Sequence, residues 1–287
     1  MNNSLFGFKP YPQLSKAIDR TVETFEAMPA DQVFDLARQH AGGDIAAFVK
    51  ATSAHANYPV ALALDKFSEV AALAGMDLPA QLQHLIELDL NRYDDYVSHH
   101  NHKLTAFSAN HELEWIDPLD ATAIIETWLC ARFQGGARFL PFAESGAGDA
   151  YCFIELPSGE SGVGTVWNDS VMSHIEYASL GDFFFAKLVE EFSDVSELRR
   201  DDVIDVLNAD LNSVRWFLTL DQQRVLDALL AKTPVSRPYQ YGPMAPLEYV
   251  LSLVSQEEMK ILLATAKLAE PIAFAVVQPW ECEDDND

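Results

Sequence analysis

In the middle of the chain, apolar residues recur at every second position within several short segments. These segments constrain the fold more than any other feature of the sequence. The segments are rich in aromatic and β-branched residues, and clusters of Gly, Ser and Asp separate them. Such a pattern is typical of short strands joined by tight turns. We therefore predict an antiparallel meander with strands at residues 138–143, 151–156, 163–168 and 175–178.

A helix is predicted directly after the last of these strands, over residues 180–192, with Asp182 at its start. Large apolar residues recur there at helical spacing, namely Phe184, Phe185, Leu188, Val189 and Phe192. One apolar stripe of this kind can cover one face of a sheet. An earlier helix is expected after Asp117-Pro118.

Helical periodicity dominates both flanks. In the last third, helices are predicted within 203–218, over 225–230, and after Pro246 through Leu247, Val250, Leu251 and Val254, with a stiff extended connector at 233–246. The predicted class is α+β, with a mixed or antiparallel sheet of four to six strands and packed helices. We divide the chain into a helical region at 1–103, an α+β core at 104–192, and a helical region with an acidic tail at 193–287.

Composition excludes several classes of protein. Apolar residues make up 49% of the chain, with 17 Phe, 9 Tyr and 5 Trp, which is too many for a disordered acidic protein. The three cysteines, Cys130, Cys152 and Cys282, have neither CxxC spacing nor an even number, so we expect a reducing cytoplasm. We expect no export signal in residues 1–10, and no apolar run reaches the roughly 18 residues of a membrane span.

The charge favours one kind of partner. The formal net charge is -25, which disfavours nucleic acid and anionic membrane surfaces as partners and favours basic proteins. The excess is steepest in residues 104–192, where 14 acidic residues accompany three basic ones, and no Lys or Arg lies between Arg138 and Lys187. Strand alternation should bring some of these acids onto one solvent-facing side of the sheet.

The same segment resembles the SUKH superfamily. The resemblance rests on Phe139-Leu140-Pro141-Phe142-Ala143, the turn Gly146-Ala147-Gly148-Asp149, the strand 151–156, Val166-Trp167-Asn168-Asp169, and the helix from Phe183. We expect Pro141 and the glycines to shape a turn, Asp149 to cap backbone amides there, and Trp167 to lie beneath the sheet. Bacterial members are mostly immunity proteins of toxin systems, and fungal members regulate cell-wall synthesis.

The resemblance and the charge together predict an immunity protein that binds a cognate toxin by stoichiometric occlusion, without catalysis, cofactor or metal. The predicted contact residues are acidic, namely Glu144, Asp149, Glu155, Glu160, Asp169 and Glu176. Two alternatives stay open at this point. The acids can be an ordinary soluble surface, or the chain can be a regulatory or scaffolding protein of the same fold.

A metal-dependent enzyme is the least favoured alternative. The cluster His99-His100-Asn101-His102, with His111-Glu112 downstream, has enough imidazoles for a zinc site, but no HExxH motif accompanies it. A polar loop explains these histidines equally well. Cys130 and Cys152 lie in apolar contexts that are typical of small buried residues rather than of nucleophiles.

Overall fold

The computed structural model describes residues 60–88, 107, 113–196, 198, 203–242 and 244–282. The chain divides into two compact units, Met1–Ala63 and Leu64–Asp287, and the elements below belong to the second, except that the first helix begins at Val60. Of the helical region predicted at 1–103, only residues 60–88 are described, and the rest lies outside the described residues.

The elements are named in chain order. The helices are α1 (Val60–Leu73), α2 (Ala80–Glu87), α3 (Pro118–Thr127), α4 (Leu180–Ser193), α5 (Val203–Val214), α6 (Leu220–Leu230) and α7 (Gln256–Ala266). The strands are β1 (Glu114–Trp115), β2 (Arg138–Glu144), β3 (Ala150–Glu155), β4 (Ser161–Val166), β5 (Met172–Tyr177), β6 (Val235–Tyr239), β7 (Glu248–Ser252) and β8 (Lys267–Ala275). Short 3₁₀ helices span Arg215–Phe217 and Pro279–Glu281.

Six of these strands form one antiparallel sheet in the order β1-β2-β3-β4-β5-β8. The predicted α+β class and the four-strand meander are confirmed, since β2 to β5 follow one another along the chain and across the sheet. The strands β6 and β7 form a separate antiparallel pair. The helices predicted after Asp117-Pro118 and over 180–192 are confirmed as well, each with a side-chain cap at its start.

The described part of the last third contains three strands in addition to three α-helices. The helix predicted through Leu247 and Val254 is wrong, because Glu248–Ser252 is a strand and α7 begins only after Ser255. The hydroxyl of Ser255 accepts from the amide of Glu258, whose carboxylate accepts from the amide of Ser255. This capping box fixes the start of the helix beyond the apolar run. The strand β8 then joins the sheet beside β5.

One face of the sheet is covered by α4, and we call it the α4 face. The ring of Phe183 lies 5.2 Å from that of Tyr151, 5.6 Å from that of Phe142 and 5.6 Å from that of Tyr177. These contacts tie the helix to β2, β3 and β5. The N-cap residue of α4 is Ser179, whose hydroxyl accepts from the backbone N–H of Asp182 and donates to the carboxylate of Asp182.

The opposite face is covered by α3, the segment that follows it and the end of the described chain. Buried side chains of the sheet pack here against side chains from residues 128–137 and 276–282, and the cluster comprises Trp128, Leu129, Ala137, Phe139, Ala150, Cys152, Ile154, Val166, Ile175, Phe274, Val276 and Cys282. The side-chain amide group of Gln134 donates to the carbonyl of Val277 through its nitrogen and accepts from the N–H of Val277 through its oxygen. The sheet is therefore buried on both faces over much of its area.

Pro141 does not shape a turn, contrary to the sequence-based expectation. It lies within β2, opposite Cys152, and the strand register shifts between Pro141 and Ala143. Proline has no N–H to donate to a ladder, and such an irregularity is one of the few places where a sheet accepts it.

Two carboxyl groups are buried between α4 and α5. Glu191 is 8% exposed and Asp210 is fully buried. Burial, and after it the negative charge of Asp210, raises the pKa of Glu191 well above its usual value. The folded protein therefore favours the neutral form of this side chain.

Replacing Glu191 with Gln should stabilise the protein at alkaline pH. Between the ordinary pKa of a glutamate and the raised value, the folded state binds more protons than the unfolded state, so the free energy of unfolding falls as the pH rises. The variant E191Q has no proton to lose there. Urea unfolding from pH 5 to pH 9 should show wild-type stability decreasing more steeply than that of the variant.

The matched control is Glu126→Gln, at an exposed position on α3. This control should keep the wild-type pH dependence. Equal slopes for wild type and E191Q would contradict the raised pKa.

Candidate functional site

The six acids predicted to contact a partner lie at two opposite ends of the sheet. Neighbouring strands run in opposite directions, so the β2–β3 and β4–β5 turns share one end and the β3–β4 turn lies at the other. Glu144, Asp149 and Asp169 belong to the first end. The second end holds the others, namely Glu155, Glu160 and Glu176. The structure does not bring all six together.

The second end also carries positive charge. Glu155 pairs with Arg138 at 2.5 Å, and Glu176 pairs with Lys267 at 2.7 Å. Glu160 is exposed in the β3–β4 turn, and a hydrogen bond from Ser158 lowers the pKa of its carboxyl group. Two of the three predicted contact acids at this end are thus already paired within the chain.

Hydrogen bonds between separate segments of the chain hold the first end together. We call it the acidic end and define it as the β2–β3 turn at 145–149, the β4–β5 turn at 167–171 and the segment 276–281. The side chain of Asn168 donates to the carbonyl of Ala147 at 2.9 Å, and the N–H of Val276 donates to the carbonyl of Val171 at 3.0 Å. The three segments therefore form one continuous surface.

Asp149 supports this surface from inside. One of its carboxylate oxygens accepts from the N–H of Asn168 at 3.0 Å, and the other accepts from the hydroxyl of Ser145 at 2.9 Å. Its side chain is buried, so it joins the two turns and is not exposed to a partner. The expectation that Asp149 caps a backbone amide is correct, but the amide belongs to the neighbouring turn.

The exposed charge of the acidic end has one sign. Asp169 and Glu281 are exposed there, and the sequence contains no Lys or Arg in 144–150, 166–172 or 275–287. Beside it, Glu114 of β1 is exposed directly opposite the partly buried Glu144 of β2. These acids give the end a negative potential that attracts cations.

Lys187 of α4 is turned into the molecule. Its ammonium group donates to the hydroxyl of Tyr151 at 3.2 Å and to the carboxylate of Glu190 at 3.0 Å. Burial lowers the pKa of Lys187, but the charges of Glu190 and Tyr151 outweigh burial and raise it. The side chain is only 12% exposed and does not offset the negative surface.

Large apolar side chains are exposed at the same end. Trp167 is 42% exposed, so the expectation that it lies beneath the sheet is wrong. Val171, Met172 and Trp280 are exposed as well, and the sequence analysis singled out none of them. In the sequence, the two large apolar residues Val171 and Met172 directly follow the polar pair Asp169-Ser170. This adjacency could have predicted an exposed apolar surface at the turn. Apolar residues clustered within a polar rim are typical of protein-binding surfaces.

The histidines and cysteines that an enzyme would use form no metal or nucleophile site in the described part of the chain. The histidines at 99–102 and 111 lie outside it, and no group of three or more His, Cys, Asp or Glu within it could hold a metal ion. Cys152 is fully buried, and burial, followed by the charge of Glu144, raises the pKa of its thiol. Burial likewise raises the pKa of Cys282. Raised pKa values disfavour nucleophilic thiolates.

None of the described helices is long and apolar enough to cross a membrane. Comparison of the chain with protein-family models, with curated proteins and with solved structures finds no significant match. The SUKH resemblance therefore stays a prediction from the sequence.

Replacing Asp149 with Ala should destabilise the acidic end. The change leaves the N–H of Asn168 and the buried hydroxyl of Ser145 without their acceptor, and an unsatisfied buried group costs about 1–3 kcal/mol. Urea unfolding measures this loss. The exposed Asp169, changed to Ala as a control, should alter stability by less than about 0.5 kcal/mol. Equal effects of the two changes would mean that Asp149 does not join the turns.

Proposed function

We propose that this chain is an immunity protein of the bacterial cytoplasm that binds a cognate toxin and neutralises it by stoichiometric occlusion. The observation that carries the proposal is the acidic end, where exposed acids and exposed large apolar residues occur together without a Lys or Arg. The meander followed by a Phe-rich helix supports the resemblance to the SUKH superfamily, and that membership is part of the proposal.

The proposed partner is a protein with a basic surface. Many toxins that act on nucleic acids need a cationic cleft for phosphates, and carboxylates such as those of Asp169 and Glu281 can take the place of those phosphates. Opposite charges speed the encounter, most strongly at low salt. Occlusion of the cleft is sufficient for neutralisation, so the proposal requires no catalytic residue or cofactor in this chain.

Co-expression with the toxin encoded by the adjacent gene tests the proposal. The wild-type chain should restore growth of cells that produce the toxin, and the two purified proteins should form a complex of fixed stoichiometry. Killing that continues despite abundant folded protein would overturn the proposed function. A complex with a basic protein that is not toxic would instead identify a regulatory or scaffolding role.

Charge reversal at the two ends of the sheet tests where the toxin binds. The variant D169K should slow association with the toxin by about tenfold at low salt, because it reverses an exposed charge at the proposed interface. The matched control E160K makes the same change in net charge at an exposed site on the opposite end. Stopped-flow kinetics should find the control close to wild type. Equal slowing would mean that only total charge matters.

A further inference from the structure

Within the described part of the chain, nothing covers the α4 face at the corner where β4, β5 and β8 meet the acidic end. Tyr151, Thr165, His174 and Ala273 are successive cross-strand partners from β3 to β8, so they lie in one row on this face. Tyr151 and Thr165 are buried, His174 is half-buried and Ala273 is exposed. The cover that α4 provides therefore ends between β4 and β8.

The next row toward the acidic end is exposed and apolar. Met172 pairs with Ala275, two residues along from the pair His174 and Ala273, and both members are exposed. Trp167 follows the last residue of β4, two residues beyond Thr165, and is exposed as well. We call Trp167, Met172, Ala273 and Ala275 the uncovered corner.

The uncovered corner is bordered by negative charge. Asp169 lies in the turn that joins Trp167 to Met172, and the amide of Trp167 donates to the hydroxyl of Ser173, which fixes the turn. Toward the other end of β8, Glu270 is exposed, and Lys267 is paired with Glu176. An occupant must therefore present apolar atoms to the indole and thioether, with cationic groups around them.

We propose that the uncovered corner is the energetic centre of the interface with the toxin, where it receives an apolar segment of the toxin that is flanked by Lys or Arg. This inference rests on the proposed function and adds the place and chemistry of the contact. Tryptophan is among the residues that most often dominate binding energy, and truncation of such a residue commonly costs about 2 kcal/mol or more. The surrounding acids then contribute mainly to the rate of encounter.

Truncation of two exposed tryptophans tests the inference, with the adjacent-gene toxin as the probe and titration calorimetry as the measurement. Trp167→Ala should raise the dissociation constant by about 30-fold or more. The matched control Trp216→Ala removes a residue that is 78% exposed on the Arg215–Phe217 helix, and it should change the constant by less than about threefold. Met172→Gln, a smaller change in the same corner, should also weaken binding.

Binding measurements at high salt distinguish the contribution of the apolar contact from that of the charges. The effect of Trp167→Ala should persist at about 0.5 M salt, where the effect of D169K fades because exposed charges are screened. If the wild type binds the toxin and Trp167→Ala and Met172→Gln bind equally well, the inference is overturned while the proposed function stands. If the wild type does not bind, both are overturned. Thermal unfolding of each variant shows that it is folded.

Discussion

The contact of Phe183 with the sheet holds α4 in place over the sheet. Its ring touches aromatic rings from β2, β3 and β5, and each such pair contributes about 0.5–1.5 kcal/mol beyond simple burial. Because α4 is held above the middle of the sheet, none of the described helices covers the corner near β8. The same contact therefore stabilises the fold and leaves Trp167 and Met172 exposed.

Neighbouring carboxylates of the acidic end have different structural roles. Asp149 has its two oxygens occupied by the neighbouring turn and by Ser145, whereas Asp169 is exposed in the turn that Asp149 supports. Hydrogen bonds of this kind hold the turns without a cation. The surface can therefore stay negative without the paired lysines and arginines that neutralise Glu155 and Glu176 at the opposite end.

Local patterns were enough to predict the meander and α4, because alternation and helical spacing are properties of adjacent residues. They were not enough for β7, where the spacing of Leu247 and Val250 fits a helix and only the cap at Ser255 shows where α7 begins. The acids that would contact a partner were chosen by charge alone. Which of them are buried, paired or exposed depends on strand direction and on distant residues such as Arg138 and Lys267, so sequence spacing could not separate them.

The late position of β8 in the sequence has a consequence for folding. Glu176 and Lys267, which pair across β5 and β8, are 91 residues apart, so the loop between the two strands must close before the last strand can dock. Contacts between distant residues slow folding. Until β8 docks, β5 has an unpaired edge that can join another chain. A newly made chain is therefore exposed to aggregation at the edge of β5, and chaperones that delay association would act there.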